Sequence, residues 1–349
     1  MALDKTQIEM VRAKLSTEWK HDWEQQYERV APYTTRIAEP KGVYYEVPYV
    51  GGTEVKEYSG SRVEMENSSL MHGKRGMKYR KFYNCIDISI DEVDDMMNLE
   101  YNFGLIKSKQ KPAVARALDM FALGVVKDKD TGLYRVKKAA DGGHMGGILG
   151  TNYGGDDGAT LYELDTTYAS YKAGKGNLVP VDYAITGAGV SNNFGGTIYA
   201  RIEYIKRRLA ELDAFDSTTP GDICVAISPA EKQLLSAYEV GLNRDYGFGK
   251  LNETGATYNE HLNVTFLVTN MLPTMNTVDK NDTAVNNCRM CCAWLKSQIG
   301  FGMWKDADWT LKDVTGMVDV DHELRVRGKA GCMRYRDDAV FVMPVAQDF

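Results

Sequence analysis

An extended arm that cannot bury itself constrains this chain more than any other feature. In residues 42–58, Val43, Tyr45, Val47 and Tyr49 alternate with mostly more polar neighbours. Alternation of period two places them on one face of a strand. Gly51 and Gly52 supply a two-residue turn and residues 53–58 continue the alternation, which predicts a β-hairpin. A charged stretch follows (Arg62, Glu64, Glu66, Lys74, Arg75, Lys78 and Arg80), and a second β-like run over residues 77–88 leads back. An isolated hairpin is marginal in water, and its unpaired edges invite pairing with other chains. Such an arm needs a partner surface.

The rest of the chain can supply a core. Of 349 residues, 44% are hydrophobic, which excludes wholesale disorder; the length suggests two compact units or one elaborated one. Residues 1–30 read as an amphipathic helix with a capping box at Thr6 and Glu9. Its apolar stripe runs through Ile8, Val11, Leu15, Trp19, Trp23 and Tyr27. Trp19 and Trp23 want something to pack against, either the chain's own core or a neighbour. Ser89 with Glu92 opens a second helical segment. After Pro112, the stripe Val114, Leu118, Phe121 and Val125 predicts a long helix ending near Val126. Residues 128–133 then make a turn. Residues 142–158 hold eight glycines and read as a mobile or tightly turned loop.

The second half reads as an α+β unit. Ile198, Ile202, Ile205, Leu209 and Leu212 define one helix, with Arg201, Lys206, Arg207 and Arg208 mostly on its wet side. A strand at 222–227 runs directly into Ser228, Pro229, Ala230 and Glu231. That tetrapeptide gives an N-cap, a first-turn proline and a glutamate three residues on. A strand at 264–269 and C-terminal strands at 322–328, 331–335 and 339–343 complete the reading.

Catalytic and cofactor chemistry finds no foothold. Each Gly-Lys pair is followed by Arg, Gly, Leu or Ala, so no phosphate-binding G-x-x-x-x-G-K-[ST] exists, and no G-x-G-x-x-G fits either. Cys288, Cys291 and Cys292 form C-x-x-C-C without the second Cys/His pair that structural zinc needs, so they are expected to act as small buried hydrophobes. The five histidines are scattered, and the pairs Asp94-Asp95, Asp156-Asp157 and Asp337-Asp338 read as solvated turns or helix starts. No enzyme activity, cofactor or metal is expected.

Charge and targeting signals narrow the class further. The net charge of −6 argues against a dedicated nucleic-acid binder. Residues 1–10 have no apolar core or cleavage site, and the most membrane-like stretch, residues 117–126, is interrupted by Asp119 and too short to span. Neither a secretory signal nor a membrane partner is expected. The six cysteines lie in a chain large enough to fold without staples, which suits synthesis in a reduced cytosol. Arg325, Arg327 and Lys329 alternate and so share one face of a strand, with Arg334 and Arg336 nearby. Three readings stand: a solvated face, an inter-subunit ion-pair stripe opposing an acidic segment such as residues 91–95, or a contact with packaged DNA.

In this order, the segments resemble the major capsid proteins of tailed bacteriophages, which have the Hong Kong-97 fold. The most specific likeness lies in the strand at 222–227 with S-P-A-E from Ser228, K-L-N-E-T-G-A at 250–256, and V-T-F-L-V-T-N-M-L-P ending at Pro273. L-G-T-N-Y-G-G-D-D-G at 149–158 and the closing G-K-A-G-C-M-R-Y-R-D-D-A-V-F-V add to it. The resemblance implies an N-terminal arm at 1–36 and an extended loop at 37–88. It implies a peripheral domain with a long spine helix at 89–179 and 286–349, and an axial domain at 180–285. It further implies self-assembly into hexamers and pentamers of an icosahedral head enclosing double-stranded DNA. A scaffolding protein or protease, a portal and a decoration protein would be partners, and the location would be the virion after assembly in the bacterial cytoplasm. Trp19, Trp23, Tyr45, Tyr49, Arg325, Arg327 and Lys329 are the candidate inter-subunit contacts, and the glycine loop and β arm are the expected hinges. Some relatives crosslink a lysine of the extended loop to an asparagine. Lys56, Lys74, Lys78 and Lys81 are available here, and nothing singles one out. A phage tail or decoration protein, or an uncatalogued α+β enzyme, is the alternative.

Overall fold

The computed structural model describes residues 27–50, 72–89, 99–141, 146–154, 160–184, 196–212, 222–242, 256–259, 262–279, 283–313 and 320–346. In chain order the first strands are β1 (Thr35–Ile37), β2 (Tyr44–Val50), β3 (His72–Lys78) and β4 (Arg80–Ser89), followed by the long helix α1 (Leu99–Leu123). The short strands β5 (Val125–Lys127), β6 (Tyr134–Val136), β7 (Asn152–Gly154) and β8 (Thr160–Tyr162) lead to α2 (Tyr168–Lys172) and α3 (Ile198–Glu211). Next come β9 (Ile223–Ile227), α4 (Pro229–Leu242), β10 (Ala256–Asn259), β11 (Val264–Val268) and β12 (Thr274–Val278). The chain closes with β13 (Ala284–Leu295), β14 (Ile299–Asp313), β15 (Val320–Arg334) and β16 (Val340–Val345).

Three sheets and the β5–β6 hairpin organise these strands. One sheet has the order β1-β14-β15-β4, with β1 parallel to β14. A second runs β10-β11-β9-β13-β12, with β16 also paired to β13. The third, β2-β3-β7-β8, holds the arm. β13 pairs with β12 in its first half and is flanked by β9 and β16 in its second. The expected domain boundary at 285/286 falls inside this strand.

Local chemistry explains the elements read correctly from sequence. The Ser228 hydroxyl accepts from the Glu231 N–H at 3.3 Å, capping α4 directly after β9. Ile198, Ile202, Ile205 and Leu209 form the buried stripe of α3. Residues 291–295 of β13 are all buried, the mark of a strand covered on both faces. Cys288, Cys291 and Cys292 are buried as expected for small hydrophobes. Cys291 and Cys292, as strand neighbours, point to opposite faces, so the triplet does not converge on one point.

β2 pairs with β3, from Tyr44 opposite Lys78 to Val50 opposite His72; the Gly51-Gly52 turn and residues 53–58, read as a hairpin mate of this strand, lie outside the described residues. Other readings change. α1 runs through Pro112 and ends at Leu123, because Gly124 takes a left-handed φ of 74° and Val125 starts β5. Arg201, expected on the wet side of α3, is buried and donates to the carbonyls of Pro344 (2.7 Å) and Gly196 (2.9 Å). The glycine segment, read as a mobile or tightly turned loop and a hinge, takes the tightly turned form over residues 146–150. A Cβ on Gly147 (φ 101°) would lie 2.3 Å from Gly124 backbone atoms, so glycine there permits close packing of two backbones.

Candidate assembly interface

Two buried polar anchors fix where the arms leave the body. The first centres on Arg334, which is fully buried near the end of β15. Its Nη1 donates to the carbonyls of Ile148 at 2.7 Å and Gly150 at 2.6 Å, and its Nη2 to that of Tyr162 at 3.2 Å. Its Nε donates to Asp337 Oδ1 at 3.0 Å. The other carboxylate oxygen of Asp337 accepts from Arg75 Nη2 at 2.6 Å. Arg75 belongs to β3 and lies 3.3 Å over the Tyr162 ring. One carboxylate therefore ties the β arm to the glycine segment and the C-terminal strands. The backbone ladder from β3 to β7 is only two residues long, Arg75 with Gly154 and Gly76 with Tyr153. Side chains thus reinforce the β3–β7 junction, while the ladder of β4 on β15 holds the base of the arm.

The second anchor is Asp119, which is fully buried in α1. Its carboxylate accepts from the backbone N–H groups of Arg29 (2.8 Å), Val30 (2.9 Å) and Ala31 (3.2 Å). Three successive N–H groups converging on one anion make a nest that fixes the chain direction where the N-terminal segment joins the body. Glu28 sits beside it, and burial, with the Asp119 charge second, pushes its carboxyl above the usual range. Sequence reading saw Asp119 only as a break in an apolar run. Its partners lie about 90 positions away, beyond any local pattern.

The seven candidate contacts fall in different places. Trp19 and Trp23 lie outside the described residues. Tyr49 lies in β2 opposite Gly73. Tyr45, opposite Met77, is half-buried and near enough to Tyr335 to help burial raise that phenol. Arg325, Arg327 and Lys329 share one face of β15, as their spacing predicts. Glu323 of the same strand accepts from Arg325 and from the exposed Cys85 thiol. Strand register adds neighbours that spacing alone could not show. Cys85, Tyr83 and Lys81 of β4 stand opposite Arg325, Arg327 and Lys329 in that order. Tyr83 is 79% exposed. The acidic segment at 91–95 lies outside the described residues. Among the described residues, no helix is long and apolar enough to cross a membrane, and no three His, Cys, Asp or Glu side chains are grouped to hold a metal ion.

The long helix, the layered sheets and the sheet-borne arm together make the α+β fold of tailed-bacteriophage capsid subunits, the Hong Kong-97 type. The similarity is to the capsid asymmetric unit of cyanophage Pam1 (TM-score 0.58, 12% identity, 93% of this chain and 94% of that one). The capsid of Ralstonia phage GP4 is also similar (TM-score 0.54, 12% identity, 91% and 88% covered). So is the capsid of Myoviridae phage XM1 (TM-score 0.52, 12% identity, 90% of each). No protein-family model matches the sequence, and no curated protein resembles it. At this identity the likeness is one of fold.

Proposed function

We propose that this chain is a major capsid protein, a structural rather than catalytic subunit that self-assembles into hexamers and pentamers of an icosahedral phage head around double-stranded DNA. The observation that carries the reading is near-complete coverage, in both directions, of the cyanophage Pam1 capsid subunit. The β2–β3 portion of the arm, joined to β7 by a two-residue ladder and to Asp337 through Arg75, supports it, since among the described residues β2 leaves an outer strand edge open to a neighbour. In this reading residues 1–36 are the N-terminal arm and 37–88 the extended loop. Residues 89–179 and 286–349 form the peripheral domain, and 180–285 the axial domain. Trp19, Trp23, Tyr45 and Tyr49 face neighbouring copies. Scaffolding, portal and decoration proteins are the further partners, DNA is enclosed without sequence-specific binding, and the mature location is the virion, reached from the host cytoplasm.

The test is expression of the chain alone and with its scaffolding partner, followed by size exclusion and electron microscopy. Capsomers, shells or tubes are expected. A stable monomer at high concentration with scaffolding protein present would overturn the reading.

A further inference from the structure

The solvent face of the β14-β15-β4 sheet carries charges that the described residues of one subunit do not balance. The other face of β15 is buried through Leu324, Val326 and Ala330. On the solvent face, register sets Lys305 opposite Lys329 and Lys329 opposite Lys81. Three ammonium groups thus stand abreast on three neighbouring strands, an arrangement that costs a sheet stability. The Tyr79 ring lies 4.8 Å from the Lys329 ammonium and 6.0 Å from that of Lys81, and Asp308 takes Lys305 at 2.9 Å. Among the described residues, that is the one carboxylate paired with the row. Exposed Arg327 continues the basic character, between Asp308 and Tyr83.

Farther along the same face the charges balance. Arg325 is neutralised by Glu323, and Glu323 stands between Lys312 and Asp87. Beyond β4 the sequence continues with Asp91, Glu92, Asp94 and Asp95. Six residues of strand separate Lys329 from Glu323, roughly 20 Å. That exceeds the Debye length of about 8 Å at physiological salt, so the Glu323 and Asp87 carboxylates do little for the basic row.

We propose that Lys81, Lys329, Lys305 and Arg327 receive the acidic segment at residues 91–95 of a second copy of this chain. The occupant follows from charge complementarity: each copy brings one basic row and one acidic run, in equal number. A nucleic acid is disfavoured by the chain's net charge of −6. Donor and acceptor patches differ, so the contact is heterologous and propagates head to tail, closing rings where the rotation allows. The inference rests on the capsid-subunit reading and names the partner of its charged stripe.

The test combines charge reversal with a swap. Lys81→Glu with Lys329→Glu should cut the yield of capsomers or shells about tenfold, as like charges now meet across the contact. The melting temperature of the unassembled subunit should change little, because the reversal at 329 turns its pairing with Lys305 attractive while the two reversed positions still repel each other. Adding Asp94→Lys and Asp95→Lys should restore assembly. If the reversed chain misfolds, Lys81→Gln with Lys329→Gln replaces it and should both weaken assembly and flatten its salt dependence. Unchanged yield in the reversed or neutral variants, or no rescue by the swap, would overturn the proposal. Normal shells that fail to retain DNA would assign the row to nucleic acid and also overturn it. A wild-type chain that never assembles would instead remove the capsid reading on which it rests.

Discussion

Asp337 and Arg75 meet at 2.6 Å across 262 positions of sequence, and the same carboxylate holds the fully buried Arg334 at 3.0 Å. Removing Asp337 leaves two buried or nearly buried guanidinium groups without their counter-charge. Asp337→Ala should therefore destabilise the subunit by about 3–5 kcal/mol, read from denaturant unfolding. Amide exchange should accelerate in residues 72–78 and 146–150 before the rest of the fold, since those segments lose their common anchor. Exchange that rises only globally would show that Asp337 does not fasten the arm.

The glycine segment gives a second, sharper prediction. Gly147→Ala combines a φ of 101° with a Cβ 2.3 Å from Gly124 backbone atoms. A left-handed conformation alone costs a side-chain-bearing residue about 1–2 kcal/mol, and the clash adds to it. Gly132 also has positive φ, at 70°, but nothing lies within 4 Å of a Cβ there. Gly132→Ala should then show only the conformational penalty. Equal unfolding midpoints for the two variants would argue against close backbone packing at Gly147.

These two anchors also show what was legible in the sequence and what was not. Ser228 and Glu231 announce the start of α4 because an N-cap is settled within four residues of chain. The strand identity of residues 44–50 is equally local, but their partner among the described residues is not: β3 begins 22 positions after Val50, whereas a two-glycine turn points only to residues next to it. Arg334 looked like one more surface cation beside Arg336, since nothing near it in sequence supplies the carbonyls of Ile148 and Gly150. The charged stripe was half legible. Alternation put Arg325, Arg327 and Lys329 on one face, whereas Lys81 and Lys305 join it only through strand register.

At the N-terminal anchor the prediction concerns pH. Glu28 has a folded-state pKa above its ordinary value, from burial first and the Asp119 charge second, with Arg36 opposing. The folded state therefore holds that proton more tightly than the unfolded chain does. Its contribution is fully present below the unfolded pKa near 4.5 and is lost as pH rises through the higher folded value. Glu28→Gln should stabilise the subunit at pH 7 and remove this part of the pH slope, as measured by denaturant midpoints from pH 4 to pH 8. Asp119→Asn should act oppositely at pH 7, weakening hydrogen bonds to three buried or half-buried N–H groups at a cost of about 1–3 kcal/mol. A stabilising Asp119→Asn would contradict the nest.

The thiols provide the last test, and it separates core from surface. Cys224, Cys288, Cys291, Cys292 and Cys332 are buried, while Cys85 is exposed on the solvent face of β4. Burial pushes the Cys224, Cys291 and Cys332 thiols up to about 12, so they stay protonated at any pH the fold tolerates. Cys85 reaches solvent, but desolvation and its hydrogen bond to Glu323 raise its pKa and hold back the reactive thiolate. An aromatic disulfide reagent should thus titrate one thiol per native, unassembled subunit, slowly at pH 7 and faster at pH 9, and all six after denaturation. Glu323→Gln should quicken that single reaction, because it removes the negative charge facing the sulfur. Two or more fast thiols in the native subunit would show that β9, β13 and β15 are not all sealed within the core. Protection of Cys85 on assembly would place the solvent face of β4 in the contact between copies, since Cys85 lies in the same strand as Lys81 and Tyr83.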